Sequence, residues 1–416
     1  MRIIFNECKK AFTSAVLLIL FVVFSAFNIF LIVSNTSFKD DLKVVNELSK
    51  TYGLEITDAT LYRFEQDLQA DFTELTSITG EEFDSVYDFL DGFKIEDYDR
   101  YTEDEHSFFQ QLQLKETYLN RAKFIDEDYA ALDMNALGED EITKYKLTGK
   151  AAEVLRNDYE KLANRFEQLK LNGEHKEWFF LGEAYEMHSF LFRTMFKTFM
   201  FEALLLIVLA TALLTTYEFE NKTQLLTYST KRGRSLMKDK LSASLITATA
   251  FTTFLLLITL GTYFIVFDYT HLWGSSISSA FNWEYNMPYI PWWEMPFLKF
   301  LLLVIVVMYC CMLLFSAISF VIAVVVKNSY FTFFIFAVFF AIGYIVTSFV
   351  PTSSILLFMT TFNLSVVVMN PHILFTGNGG LVMFKYHELV TITAWTVITI
   401  GSCLLVTKYF RKVDIQ

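Results

Sequence analysis

Residue types that catalyse or bind metal occur in this chain, but never in a working set. His387-Glu388 opens like the zinc-binding helix of a metallohydrolase. Thr391, however, stands one helical turn on, where a second histidine would complete the metal pair. Gly149-Lys150 has the end of a phosphate-cradling loop, but Ala151 follows in place of serine or threonine and the earlier glycine is missing. Glu81-Glu82 and Asp126-Glu127-Asp128 are carboxylate groupings that any acidic helical surface produces by chance. No Gly-x-Ser-x-Gly elbow occurs. The histidines at 106, 175, 188, 271, 372 and 387 are scattered, and Cys8, Cys310, Cys311 and Cys403 have no zinc spacing with them. The expectation is a chain that is no enzyme and holds no metal. Any ATP and magnesium used on its behalf must be bound by another polypeptide.

The most informative stretch is 217–240, YEFENKTQLLTYSTKRGRSLMKDK, a polar loop between two apolar runs. Lys222, Lys231, Arg232, Arg234, Lys238 and Lys240 lie in it, and short loops with that excess of bases remain in the cytoplasm. Its order is Glu218-x-Glu220-x-x-Thr223-x-Leu225-Leu226-x-Tyr228-Ser229, followed by a Lys231-Arg232-Gly233-Arg234 knot. A plain positive-inside loop with a capped turn would explain the charge alone. The finer pattern resembles the cytoplasmic coupling segment of ABC-2-type ABC transporter permeases. That resemblance implies a docking surface for an ATPase subunit made of Glu218, Glu220, Thr223, Leu225, Leu226, Tyr228, Arg232 and Arg234. It also implies two ATPase copies that bind ATP and Mg, a second permease copy or paralogue, and export of an amphipathic peptide, drug or lipid.

The elements that must carry this segment are membrane helices. The chain has 416 residues, 54% of them hydrophobic, and apolar runs of about 20 residues can cross a bilayer. Six such runs fall near 11–33, 199–216, 241–267, 297–326, 331–350 and 389–407. Bases cluster at Arg2, Lys9 and Lys10, in 217–240, at Lys327, and at Lys408, Arg411 and Lys412, while the intervening loops 268–296 and 351–388 contain only Lys385 as a Lys or Arg. Every second loop is therefore basic, which puts both termini in the cytoplasm of a multi-pass plasma-membrane protein. MRIIFNECKK at the start is amphipathic, and 1–33 reads as an interfacial helix followed by the first span.

Residues 34–197 form an insertion between the first two spans. All but ten of the 46 acidic residues, 36 of them, lie there, so the net charge of −12 belongs to an extracellular domain and does not suggest nucleic acid as a partner. The insertion has no proline and no cysteine, so it must be held by packing alone. Ala151, Val154, Leu155, Tyr159, Leu162, Phe166 and Leu169 recur at helical spacing, and a mostly helical domain running directly into the spans is expected. The region 198–416 then contains the remaining five spans. The loop 268–296, rich in Trp and Tyr, suits the headgroup zone of the bilayer. The stretch 351–387 is too apolar for a free loop and too interrupted for a span, and it reads as re-entrant. Here too the chain resembles ABC-2 permeases, whose last span is preceded by short dipping helices.

Glu202 is the clearest ionisable residue inside a span, and so a candidate for a translocation path; pairing with Arg193 or Lys197 is the alternative. The fold expected is an all-α membrane protein with six transmembrane helices and a helical extracellular domain. The competing function is a non-transporting sensor or adhesion protein whose ectodomain binds a ligand. The Lys/Asn/Phe-rich composition without external cysteine fits a Gram-positive bacterium.

Overall fold

In the computed structural model, residues 2–180, 189–229, 233–284 and 287–412 are described. The chain is an all-α membrane protein, with six helices among the described residues long and apolar enough to cross a bilayer. Helix α1 (Arg2–Phe12) is amphipathic and is separated by Thr13 and Ser14 from α2 (Ala15–Val33), the first span. The insertion contributes α3 (Phe38–Tyr52), α4 (Asp58–Thr79), α5 (Val86–Gly92), α6 (Glu103–Lys123), α7 (Ile125–Ala130), α8 (Met134–Lys144) and α9 (Gly149–Leu171).

A π-helix, Ser189–Phe196, leads into the second span α10 (Lys197–Glu220). A short helix α11 (Gln224–Tyr228) precedes the third span α12 (Leu236–Val266), the fourth is α13 (Phe297–Val326) and the fifth α14 (Ser329–Ile345). Two short helices, α15 (Leu356–Met359) and α16 (Leu364–Met369), come before the sixth span α17 (His387–Lys412).

The second span is the axis of the bundle. It packs on the first, third, fourth and fifth spans, and 72% of its apolar window is buried, against 11% for the fifth. The other spans leave rows of large apolar side chains outside, such as Val16, Ile19 and Val23 on α2 and Phe331, Phe334 and Val338 on α14. No water-facing surface would retain such rows, and a bilayer satisfies them.

Counted together with the π-helix, the second span runs from Phe190 to Glu220, beyond both ends of the apolar run at 199–216. The insertion also does not run straight on from the first span: turn residues 34–37 separate α2 from α3. Its helices start on side-chain caps that free backbone N–H groups call for; Thr57 accepts from the Thr60 N–H, and Thr102 pairs reciprocally with Glu105. Helix α9 buries Ala151, Leu155, Tyr159, Leu162, Phe166 and Leu169, the stripe read from sequence.

The aromatic loop 268–296 corrects one expectation. Its rings enter the protein instead of lying free along the bilayer surface: Tyr269, Tyr289 and Trp292 are buried. Phe281 stacks at 5.6 Å on Trp178 of the insertion, and Tyr269 stacks at 4.8 Å on Phe297. Main-chain contacts fasten the loop further, with Tyr129 donating to the Ser278 carbonyl at 2.9 Å and Arg165 to the Pro291 carbonyl at 2.9 Å. Arg165 also forks onto Glu174 at 2.8 and 2.5 Å, a bidentate pair inside the protein. A ring with one polar tip suits either a headgroup layer or a wet-edged core, and here the core took it. The segment 351–387 is fastened in the same way: Thr148 N–H donates to the Thr352 carbonyl, and α16 packs among the fourth, fifth, second and sixth spans.

Candidate functional site

The polar segment after the second span is built on a set of four charges, Glu7, Glu218 and Lys240 buried and Lys10 partly buried. Helix α10 continues past its apolar run to Glu220, which places Glu218 only 4% exposed at the base of the bundle. Lys240, on the first turns of α12, is fully buried and reaches Glu218 and the Leu214 carbonyl. Glu7 of α1 lies 3.6 Å from the same ammonium, an ion contact beyond hydrogen-bond length. Lys10 closes the ring, at 2.7 Å from Glu7 and 3.0 Å from Glu218, with its ammonium 4.2 Å over the Tyr217 ring. Burial pulls the Lys10 ammonium down, but the carboxylates of Glu7 and Glu218 outweigh it and hold the group above its ordinary value. Two acids and two bases leave no net charge inside, the arrangement under which burial of ions is tolerable.

This ring fixes α11. A five-residue helix has no stability of its own, so its position comes from contacts. Tyr228 donates to Glu218 at 3.3 Å and packs on Phe410 and Phe219 at 5.1 and 5.6 Å. Gly233 lies so close to the backbone of Thr227 and Tyr228 that a Cβ would stand 2.4 Å from the Thr227 oxygen. Glu220 accepts from the Ser329 N–H at 2.6 Å, so it holds the start of the fifth span. Arg234 donates to the Arg411 carbonyl at the end of the sixth.

The sequence-derived docking residues thus separate into two groups. Glu218 and Tyr228 are not on a surface, as expected, but inside, because the longer helix and the Lys240 ammonium draw them in. Glu220 and Arg234 are used within the chain, on span ends. Thr223, exposed, opens α11, its N–H bonded to the Glu218 carbonyl at 2.9 Å. Leu225 and Leu226 remain outside, 61% and 77% exposed. Arg232 lies outside the described residues. Glu7, Lys10 and Lys240 were missed from sequence; the Glu7–Lys10 spacing on an amphipathic helix was the available signal.

Glu202 is placed elsewhere, between the first three spans on the insertion side. It is 5% exposed and accepts from Asn28 of α2 at 2.8 Å, and Asn28 also donates to Thr259 of α12 at 3.1 Å. The described partner of Glu202 is therefore Asn28. Asn28, a polar side chain among apolar neighbours, was the sequence signal for this contact. Beside it a cavity of about 830 Å³ opens between α2 and α10. Its floor includes Glu202, Phe201 and Leu205, and its far wall Val23, Phe24 and Phe27.

Fold and site together define a multi-pass α-helical membrane protein with a charge-locked turn on the side of its termini and a groove between spans on the other. Neither a family model, nor a curated protein, nor a solved structure matches this chain. Among the described residues no group of His, Cys, Asp and Glu could hold a metal ion.

Proposed function

We propose that this chain is the permease subunit of an ATP-driven exporter of the ABC-2 type, moving an amphipathic substrate, with α11 as the element on which a separate ATPase subunit acts. The supporting observation is the combination at that turn: two adjacent leucines are exposed on a helix whose Tyr228 is buried against Glu218 and Phe219 of the second span and Phe410 of the sixth. A soluble partner that grips Leu225 and Leu226 gains an apolar anchor of the kind that dominates interface energy. Movement of that anchor passes to the spans as rigid bodies, because the connection runs through buried ion pairs and packed rings instead of a pliable loop.

In this reading the basic loop and both termini face the cytoplasm and the acidic insertion faces out. Two ATPase copies bind ATP and Mg, and a second permease copy or paralogue completes the pathway. A sensor reading is separated from this one by scrambling residues 223–229 while conserving Tyr228 and composition. A transporter then loses substrate export, whereas a ligand sensor whose insertion is intact retains its response.

A further inference from the structure

A groove of about 540 Å³ lies between the third and sixth spans, on the side of the termini. Lys238, Leu241 and Ser242 line it from α12 at helical spacing, so they share one face of that helix. Leu404, Thr407, Lys408 and Arg411 line it from α17 with the same periodicity. The order along both helices is alike: Lys238 and Arg411 stand near the helix ends, and Leu241 and Leu404 lie about one or two turns deeper in the apolar runs. Three bases from two spans thus share one rim, and no acidic residue lines the groove. None of the three is paired with a carboxylate among the described residues; Asp239, next to Lys238 in sequence, has an interaction of its own and is not on the groove wall. Arg234 takes up only the main-chain carbonyl of Arg411.

We propose that this groove binds one anionic phospholipid, its phosphate held by Lys238, Lys408 and Arg411 and an acyl chain lying along Leu404, Ile400 and Val397. Charge fixes the sign of the headgroup. Arg411 complements the carbonyl end of α17, but Lys238 stands in the first turn of α12, the end that repels a cation, and an anion beside it relieves that repulsion. The wall below the bases is apolar, and the same face of α17 continues through exposed Leu404, Ile400 and Val397. Hydrocarbon has a path there that a free phosphate or an acidic protein surface would leave empty. Basic recesses between membrane helices at headgroup level are a recurrent seat of acidic lipids. The sixth span packs chiefly on the fourth, so a lipid in the groove ties it to the third as well, beside the contact from Arg234 to the Arg411 carbonyl. The inference goes beyond the exporter reading and does not depend on it, since the binding requires no ATPase.

The test uses the purified full-length chain without ATP or partner. Native mass spectrometry in a neutral detergent counts retained phosphatidylglycerol and phosphatidylcholine. Retention of one phosphatidylglycerol per chain is expected. Binding should weaken on the order of a hundredfold in Lys238→Gln/Lys408→Gln/Arg411→Gln, since each base beside a membrane surface contributes roughly fivefold. Ser242→Trp keeps all three bases but fills the groove, and it should displace the lipid too, which carries the test if the triple variant does not fold. Added phosphatidylglycerol should also raise the melting temperature of the parent and leave that of Ser242→Trp unchanged. The proposal is overturned by equal retention of phosphatidylcholine, or by full competition from inorganic phosphate. Retention unchanged in Ser242→Trp would overturn it as well, because the bases then attract acidic lipid without a seat for it. A parent chain that retains no lipid would leave the groove to an acidic surface of a soluble partner and would equally contradict the proposal.

Discussion

Lys240 shows what a single side chain can decide in this molecule. Its ammonium is fully buried against Glu218, with Glu7 at 3.6 Å, so Lys240→Met leaves carboxylates without their cation and should destabilise the protein by about 3–5 kcal/mol. Thermal unfolding in detergent reads this directly, and Glu218→Gln combined with Lys240→Met should recover much of the loss; equal stability of parent and single variant contradicts the ion ring. Glu177, where the insertion rejoins the loop 268–296, makes a second residue-scale prediction. Burial raises its carboxyl to about 7 despite the hydrogen bond from the Ser276 N–H, and Glu55, Glu174 and Glu294 add to the rise. Between the ordinary value of 4.5 and about 7, the unfolded chain gives up a proton that the folded chain keeps, so stability falls as pH rises through this window. Glu177→Gln removes that slope. Its melting temperature relative to the parent should rise from about pH 5 to pH 7 and then level off, and a difference independent of pH would count against it. Neither group was legible in sequence, since the partners of Lys240 are 22 and more than 200 positions away and burial of Glu177 depends on a loop 100 residues on.

At the scale of elements, α11 is a helix that exists because its neighbours hold it. Leu225 and Leu226 are exposed, so replacing both with serine should change stability by no more than about 0.5 kcal/mol while removing the apolar grip proposed for the partner. Gly233→Ala acts differently: its Cβ meets backbone at 2.4 Å, and overpacking of this kind costs about 1–3 kcal/mol. Hydrogen exchange of amides 224–228 should accelerate in Gly233→Ala and stay at parent rates in the double serine variant. Identical exchange in both would mean that α11 is not clamped. The six spans were legible because 20-residue apolar runs with alternating basic loops have few alternatives. The reach of the second span was not, since Glu218 and Glu220 read as loop residues until a buried lysine accounted for one and a helix N-terminus for the other. The loop 268–296 was misplaced for a related reason: Trp and Tyr in a base-poor segment look alike whether they face headgroups or the underside of the insertion.

For the whole molecule, one apolar core runs from the insertion through the loop 268–296 into the spans. Trp178 is its pivot, packed on Phe64, Tyr118 and Phe281. Insertion and spans should therefore melt in a single transition, and Trp178→Ala should lower it as a whole, by about 3–5 kcal/mol. A separate early transition of the insertion, seen by circular dichroism or by release of a proteolytic fragment, would show that the two parts are only tethered. In the exporter proposed, the same continuity would carry displacement of α11 on one side through the packed second span, α10, to the Glu202 groove on the other. The central claim is that a separate ATPase grips the turn through Leu225 and Leu226. The most direct measurement is purification of the tagged chain from its native membrane, with and without Leu225→Asp/Leu226→Asp, followed by identification of bound subunits and assay of ATP hydrolysis. A co-purifying ATPase that the parent retains and the stably folded double variant loses is the predicted result. A parent chain that brings down no ATPase, or a variant that binds it as well as the parent, would contradict the claim.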